Sequence, residues 1–357
     1  MKRKIVVVTC YKKPDYIRGV VLRSALSRLP DMDVLIIKNK TTGIFRYTEV
    51  IIKLVKLRVI QNPDVYIITF RGYEILPIVR LICMGKRIIY DEFISPIEWI
   101  AYEHKKVKIE GLPHKILTWF YSKFAGGVDV IFADTDSHAR FSAQLLGLSI
   151  KKYVVVPVGT DEKVFKRIQH IKGNPRAKKF KVFYYGSMLP LHGLEYVCEA
   201  AVELAKHDKN IEFHLIGGGK EADDLIQQAV GAGASIVHEQ WVDFKELPKY
   251  VEKSDVCLGG PFGATVQSQM VITGKTYQFL ASGKATIIGR ITQKTHFVDK
   301  ENCLLVEQGS PEGLIESLRW AKQHRNELRV IGNNGRKLFD KQFSVERIST
   351  LLSEVLQ

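Results

Sequence analysis

The residues best placed to do chemistry are a lysine, a histidine and a set of glycines, each just beyond a short apolar run. Gly186 and Ser187 follow the run ending at Tyr185, with His192 a few residues on. Gly217, Gly218 and Gly219 follow Ile216 and lead into Lys220, and Gly263 follows the run ending at Leu258. Lys275 falls in the first turn of a helix predicted to open near Gly274. Glycine-rich loops that feed helices bring bare backbone N–H groups to a helix N-terminus, an arrangement that binds anions such as phosphate. A cation in the first helical turn opposes the helix dipole unless an anion lies between them. The chemistry this suggests is the holding of a phosphorylated ligand. A solvated surface lysine and an ordinary tight turn at 217–219 are the plain alternatives.

These residues need a frame. Asp255–Leu258 reads as a strand and the loop behind it is glycine-rich. A helix from about Gly274, stopped by Gly283, and a second strand, Ala285–Ile288, complete a βαβ unit. The same alternation runs through the chain, from Ile5–Thr9, Val34–Ile37, Val65–Thr69 and the segment ending Asp91-Glu92 to KVFYYG, IEFHLIGGG and SIVHEQWV. The predicted strands are apolar on both faces, which implies parallel sheets covered by helices on both sides. The polar, aperiodic stretch KRIQHIKGNPRAKK reads as a linker at 166–179. The expected domains are therefore 1–165 and 180–335, with 336–357 returning to pack on the first. The expected class is α/β, two Rossmann-like doubly wound domains with ligands at the carboxyl ends of the strands.

Composition narrows the possible partners. The chain has 357 residues, enough for two cores, and a net charge of +15. Residues 1–165 hold 27 Lys and Arg against 16 Asp and Glu, a net +11, and the rest of the chain carries the remaining +4. A phosphorylated substrate, an anionic membrane surface or nucleic acid could each answer such a charge. No nucleic-acid module is recognisable, and the lysines are dispersed. Neither a P-loop lysine motif nor a G-x-G-x-x-G fingerprint after the first strand is present. The five cysteines stand singly in apolar surroundings, as reduced buried thiols do, and a cytoplasmic location is expected. The N-terminal MKRKIVVVTC reads as a first core strand rather than a signal peptide. No His, Cys or Asp cluster has metal-ligand spacing, so no bound metal or other cofactor is expected. His138, behind Asp136 as the expected cap, reads as a packing or capping residue.

Taken in order, YYGSMLPLHGLEYVCEAAVEL, IEFHLIGGG, SDVCL and VITGKTYQFLASGKATIIG resemble the donor-binding half of the family 4 glycosyltransferases, which have the GT-B fold of two domains facing across a cleft. IIYDEFISPIEW, FADTDSHARFSAQLLG and VVVPVGTDEKVF resemble segments of their first half. The resemblance implies that Lys275 binds a donor diphosphate, that Gln278 stands where a glutamate grips the ribose, and that the Gly186–Ser187 loop approaches diphosphate and sugar. By the same token Trp241 and Val242 would lie against the base, and Asp91, Glu92 and Glu98 would lie on the acceptor side. Asp91 and Glu98 join Lys275 as the catalytic candidates. The chain departs from the family at Gln278, at Met270 and Gln267, and at Ser187 and His192, where an arginine and a lysine are usual. Lys220 and Arg290 are further candidates for phosphate charge.

The implied activity is transfer of a sugar from a nucleotide-diphosphate donor, with retention, onto a glycan or lipid-linked acceptor in glycan or cell-surface polysaccharide synthesis. The alternatives are a non-catalytic relative that senses sugar nucleotides or serves as a partner subunit, and a nucleic-acid binder resting on charge alone. In Glu98–Phe124, lysines interleave with Trp99, Tyr102, Trp119, Phe120 and Tyr121, as in a segment that meets a membrane surface. Ile116, Phe120 and Phe124 fall at four-residue spacing, so 114–124 is assigned mainly to the core and 99–110 to an exposed basic loop. Peripheral docking at the inner face of a membrane is the corresponding expectation.

Overall fold

The computed structural model describes residues 2–168, 179–293 and 295–357. The chain forms two compact units, Met1–Gly159 with Val345–Gln357, and Thr160–Ser344. The change of unit thus falls at Gly159, ahead of the expected linker, and residues 169–178 of that linker lie outside the described residues. Of the expected C-terminal segment 336–357, only the part from Val345 joins the first unit. The preceding helix, Arg325–Gln342, belongs to the second.

The first unit is built on β1 (Arg3–Thr9), β2 (Met32–Lys38), β3 (Val65–Ile68), β4 (Arg87–Asp91), β5 (Val130–Ala133) and β6 (Tyr153–Val155). They form one sheet, all parallel, in the order 2-1-3-4-5-6. Ile5, Val6, Val7 and Val8 are fully buried in succession, as a strand covered on both faces requires. One face is covered by Phe45–Gln61, Leu76–Ile82, Leu112–Ala125 and Asp136–Leu146. The other is covered by Ile17–Leu26 and the terminal helix Val345–Leu356, whose Val345, Ile348, Leu352 and Leu356 enter the core at three- and four-residue spacing. Burying one such side chain is worth about 1.5–3 kcal/mol. Arg3 and Arg87 donate to the carbonyls of Leu356 and Val355, meeting the negative end of that helix.

The second unit has β7 (Phe180–Gly186), β8 (Ile211–Gly217), β9 (Ile236–Glu239), β10 (Val256–Leu258), β11 (Thr286–Gly289) and β12 (Leu304–Val306). All are parallel, in the order 12-11-10-7-8-9. The chain order reverses between β7 and β10. In open α/β sheets such a switch point, at the carboxyl ends of the strands, is where ligands bind. All five cysteines are buried and free.

Candidate functional site

At the switch point of the second unit the loops after β7, β8 and β10 meet. Gly186 pairs with Gly217 at the end of the β7–β8 ladder. Gly217 has φ +100°, and a Cβ there would stand 2.1 Å from the Gly186 carbonyl oxygen, so no other residue fits. Gly263 donates to the Leu191 carbonyl at 3.1 Å, and a Cβ on it would lie 2.2 Å from the Pro190 oxygen. The loop after β10 is therefore pressed backbone to backbone against the loop after β7. The hydroxyl of Thr273, at the N-cap of the helix Gly274–Ala281, bonds the Gly259 carbonyl and ties the helix start to the same place.

Lys275 enters this setting as the second residue of that helix and is only 5% exposed, so the surface-lysine reading fails. Its Nζ lies 5.1 Å from the centre of the Tyr184 ring, a cation–π distance. A Cβ added to Gly186 would stand 3.4 Å from Nζ and 3.4 Å from the His192 ring. No carboxylate pairs with Lys275 among the described residues, and burial pushes its pKa down from 10.5 to about 7. Burial, and secondarily Lys275, holds His192 well below the usual histidine range. His192 is therefore neutral, and its Nδ1 accepts the Leu189 N–H at 3.2 Å, closing the turn that shapes the loop. A buried amine without a counter-ion, facing glycine backbone at a helix start, is an arrangement that can receive an anion, which would favour its charged form.

Gln278, one turn beyond Lys275, is 3% exposed, and its Oε1 accepts the Tyr185 hydroxyl. With the oxygen engaged, the amide NH₂ is the group Gln278 has to offer a ligand. No feature of the sequence singled out Tyr184 or Tyr185. Ser187, Gly218, Gly219 and Lys220 are exposed on the outer part of the loops, and Val242 is half-buried beside a largely exposed Trp241. Arg290 is largely exposed and pairs on the surface with Glu307 at 2.7 Å. Met270 and Gln267 are buried.

The acids of the first unit expected on the acceptor side lie at the end of β4 and in the segment after it, and all three are buried. Asp91 is fully buried in a forked pair with Arg18, whose Nη2 and Nε reach Oδ1 at 2.7 and 3.0 Å. Arg18 also donates from Nη1 to the carbonyls of Val156 and Pro157 at 2.6 and 2.7 Å. Glu98 accepts the Ser95 N–H at 2.8 Å, and its Oε1 lies 2.9 Å from Nε2 of His138. The other nitrogen of His138 lies 2.6 Å from Asp134. Burial works against charge on His138, but Glu98 and Asp134 outweigh it and raise its pKa well above the ordinary value. Glu92 accepts from Tyr121 at 2.7 Å and from Ser142, and burial, with Glu98 next, lifts it to about 7. Asp91, expected with Glu98 as catalytic, ends β4 and ties it through Arg18 to the backbone after β6, and Glu98 ties its turn to the helix of His138.

His138 is more than packing: it clamps two carboxylates. The cap of its helix is Thr135, whose hydroxyl accepts the His138 N–H at 3.1 Å, whereas Asp136 pairs with Arg140 on the surface. Glu92, Glu98 and His138 bring ligand atoms within 4.8 Å of one another, the grouping among the described residues that could hold a metal ion. Sequence spacing hid it, because His138 comes from a helix forty residues beyond Glu98.

Residues 179–324 match the family model described as glycosyl transferases group 1. HepE from Anabaena, solved in complex with UDP-glucose, is similar with a TM-score of 0.72 at 13% identity, over 99% of both chains. Sucrose-phosphate synthase from Thermosynechococcus elongatus is similar with a TM-score of 0.75 at 13% identity, over 99% of this chain and 98% of that one. A glycosyltransferase from Rickettsia africae gives 0.67 at 12%, over 99% and 97%. No curated protein matches the sequence. At such identities the likeness is one of fold: two six-stranded parallel α/β units, as in GT-B structures. The fold is thus that of GT-B structures, and the segment 179–324, less than half of the chain, is similar to the group 1 glycosyl transferases.

Proposed function

We propose that the chain moves a sugar from a nucleotide-diphosphate donor to a glycan or lipid-linked acceptor, with retention, in cell-surface polysaccharide synthesis. The observation that carries this reading is Lys275, buried and unpaired at a helix start against the Gly186 backbone. In the reaction, negative charge builds on the departing diphosphate. A fixed cation and backbone amides aimed at that charge stabilise it in the transition state more than in the ground state. In this reading Lys275 supplies the charge without a bound metal ion, and the Gly186–Ser187 and Gly217–Gly219 loops supply the amides. Val242 lies toward the base. That HepE was solved with UDP-glucose favours a uridine donor.

Thermal-shift screening of UDP-, GDP- and related sugars tests the reading. A donor at 100 times its Kd adds about 2.7 kcal/mol to stability, so a clear rise in Tm is expected with one nucleotide class. Absence of any shift across the panel would overturn it. A shift without donor hydrolysis or transfer to any acceptor would instead identify a sugar-nucleotide sensor or partner subunit, the reading favoured by the absent glutamate at 278.

Gln278→Glu is expected to tighten UDP binding or leave it unchanged. One carboxylate oxygen keeps the Tyr185 hydroxyl, and the other becomes an acceptor for a ribose diol. A large loss of affinity, read by calorimetry, would show that the site is arranged around the amide donor and not around a diol.

A further inference from the structure

On the first unit the helices Phe45–Gln61, Leu76–Ile82 and Leu112–Ala125 lie side by side over one face of the sheet. Their inward residues, among them Leu54, Val79 and Tyr121, belong to the core. Arg80 of the second helix donates to the Lys123 carbonyl of the third at 3.0 Å, locking the row. Their outward sides are apolar as well. Phe45, Ile52, Val59 and Leu81 are 72%, 62%, 77% and 68% exposed, and Trp119 and Phe120 are 56% and 52% exposed. Of the three residues whose spacing gave them to the core, Phe124 is partly buried against it, but Ile116 and Phe120 face outward, and His114, Tyr121 and Ala125 are the buried residues of the helix. Of the expected basic loop 99–110, the first part is a single helical turn, Glu98–Glu103, with buried members, and only the part from His104 is largely exposed.

The three helices also carry Lys53, Lys56, Arg58, Arg80, Lys115 and Lys123, and their one acid, Glu49, is paired with Lys53. We propose that this three-helix face docks on the headgroup region of an anionic lipid bilayer. Exposed rings and aliphatic side chains enter the acyl boundary, and ammonium and guanidinium groups meet lipid phosphates. A second copy of the same face is disfavoured, since a two-fold contact would set like charges against like. Nucleic acid would use the charge and leave the apolar side chains in water. No helix of the described residues is long and apolar enough to cross a membrane. The proposal rests on the reading above only for its purpose, access to a lipid-linked acceptor. Docking itself requires no donor.

Flotation of the full chain with phosphatidylcholine vesicles, with and without phosphatidylglycerol, tests it at low and high salt. Binding is expected only with the anionic lipid, falling with salt. Trp119→Ser with Phe120→Ser, and separately Lys115→Gln with Lys123→Gln, should each lower the partition coefficient roughly tenfold or more. These residues are exposed, so an unchanged Tm separates docking from folding. Trp119 fluorescence should shift to the blue on anionic vesicles, a signal that Trp119→Phe removes. No binding at low salt, or binding indifferent to these substitutions, overturns the proposal. A dimer in solution that Trp119→Ser dissolves would also overturn it, by assigning the face to a second copy. A chain that docks but transfers no sugar leaves docking intact and removes the enzymatic reading.

Discussion

Lys275→Ala is expected to weaken UDP binding by roughly 10- to 150-fold, since a hydrogen bond to a charged group is typically worth about 1.5–3 kcal/mol. Lys220→Ala, at an exposed position on the neighbouring loop, should change little. The sharper signature is in the pH dependence. With a pKa of about 7 in the free protein, Lys275 is largely neutral at pH 8 and must gain a proton when a diphosphate binds. Calorimetry in buffers of different ionisation enthalpy should therefore show uptake of nearly one proton at pH 8. Affinity should fall by about tenfold per pH unit above 7 until the pKa of the complex is reached. Both effects should vanish in Lys275→Ala. The free protein should show the opposite slope. A lysine lowered from 10.5 to about 7 binds fewer protons folded than unfolded, so stability rises with pH between those values. Proton uptake that persists in the alanine variant would assign the titration to another group.

What could be read from the sequence, and what could not, follows from how local each signal is. The alternation of apolar runs with helices, and the glycines near the ends of those runs, are local, and they place Gly186 and Gly217 at strand ends, Gly263 in the loop after a strand and Lys275 at a helix start, as the structure has them. The burial of Lys275 is not local: it comes from Tyr184, His192 and the Gly186 backbone, more than eighty residues away in the chain. The Tyr185–Gln278 bond and the Glu98–His138–Asp134 clamp are likewise made by the sheet, which brings together ends of strands that the sequence separates. Ile116 and Phe120 show a different limit. A four-residue apolar spacing identifies one side of a helix, but the spacing is the same whether that side meets a core or a bilayer.

Arg18 gave no signal at all, being one arginine in the first turn of an ordinary helix, yet it sits at the centre of the first unit. Both it and Asp91 are fully excluded from water. Asp91→Ala would leave a guanidinium buried with only the carbonyls of Val156 and Pro157 to solvate it, and breaking such a pair typically costs about 3–5 kcal/mol. The expected result in urea is a large shift of the transition that unfolds the first unit to lower denaturant. The nucleotide-dependent stabilisation of the second unit should persist where the first has melted. Removing both charges gives the contrasting arm. Well-packed apolar residues in place of a buried pair are often neutral or stabilising, so Arg18→Met with Asp91→Leu should recover most of the loss. Recovery would show that the single substitution acts through the stranded charge. Failure to recover, with the double variant as unstable as Asp91→Ala, would mean that the Arg18 bonds to Val156 and Pro157 hold β6 and its following loop in place, and that the carboxylate merely accompanies them.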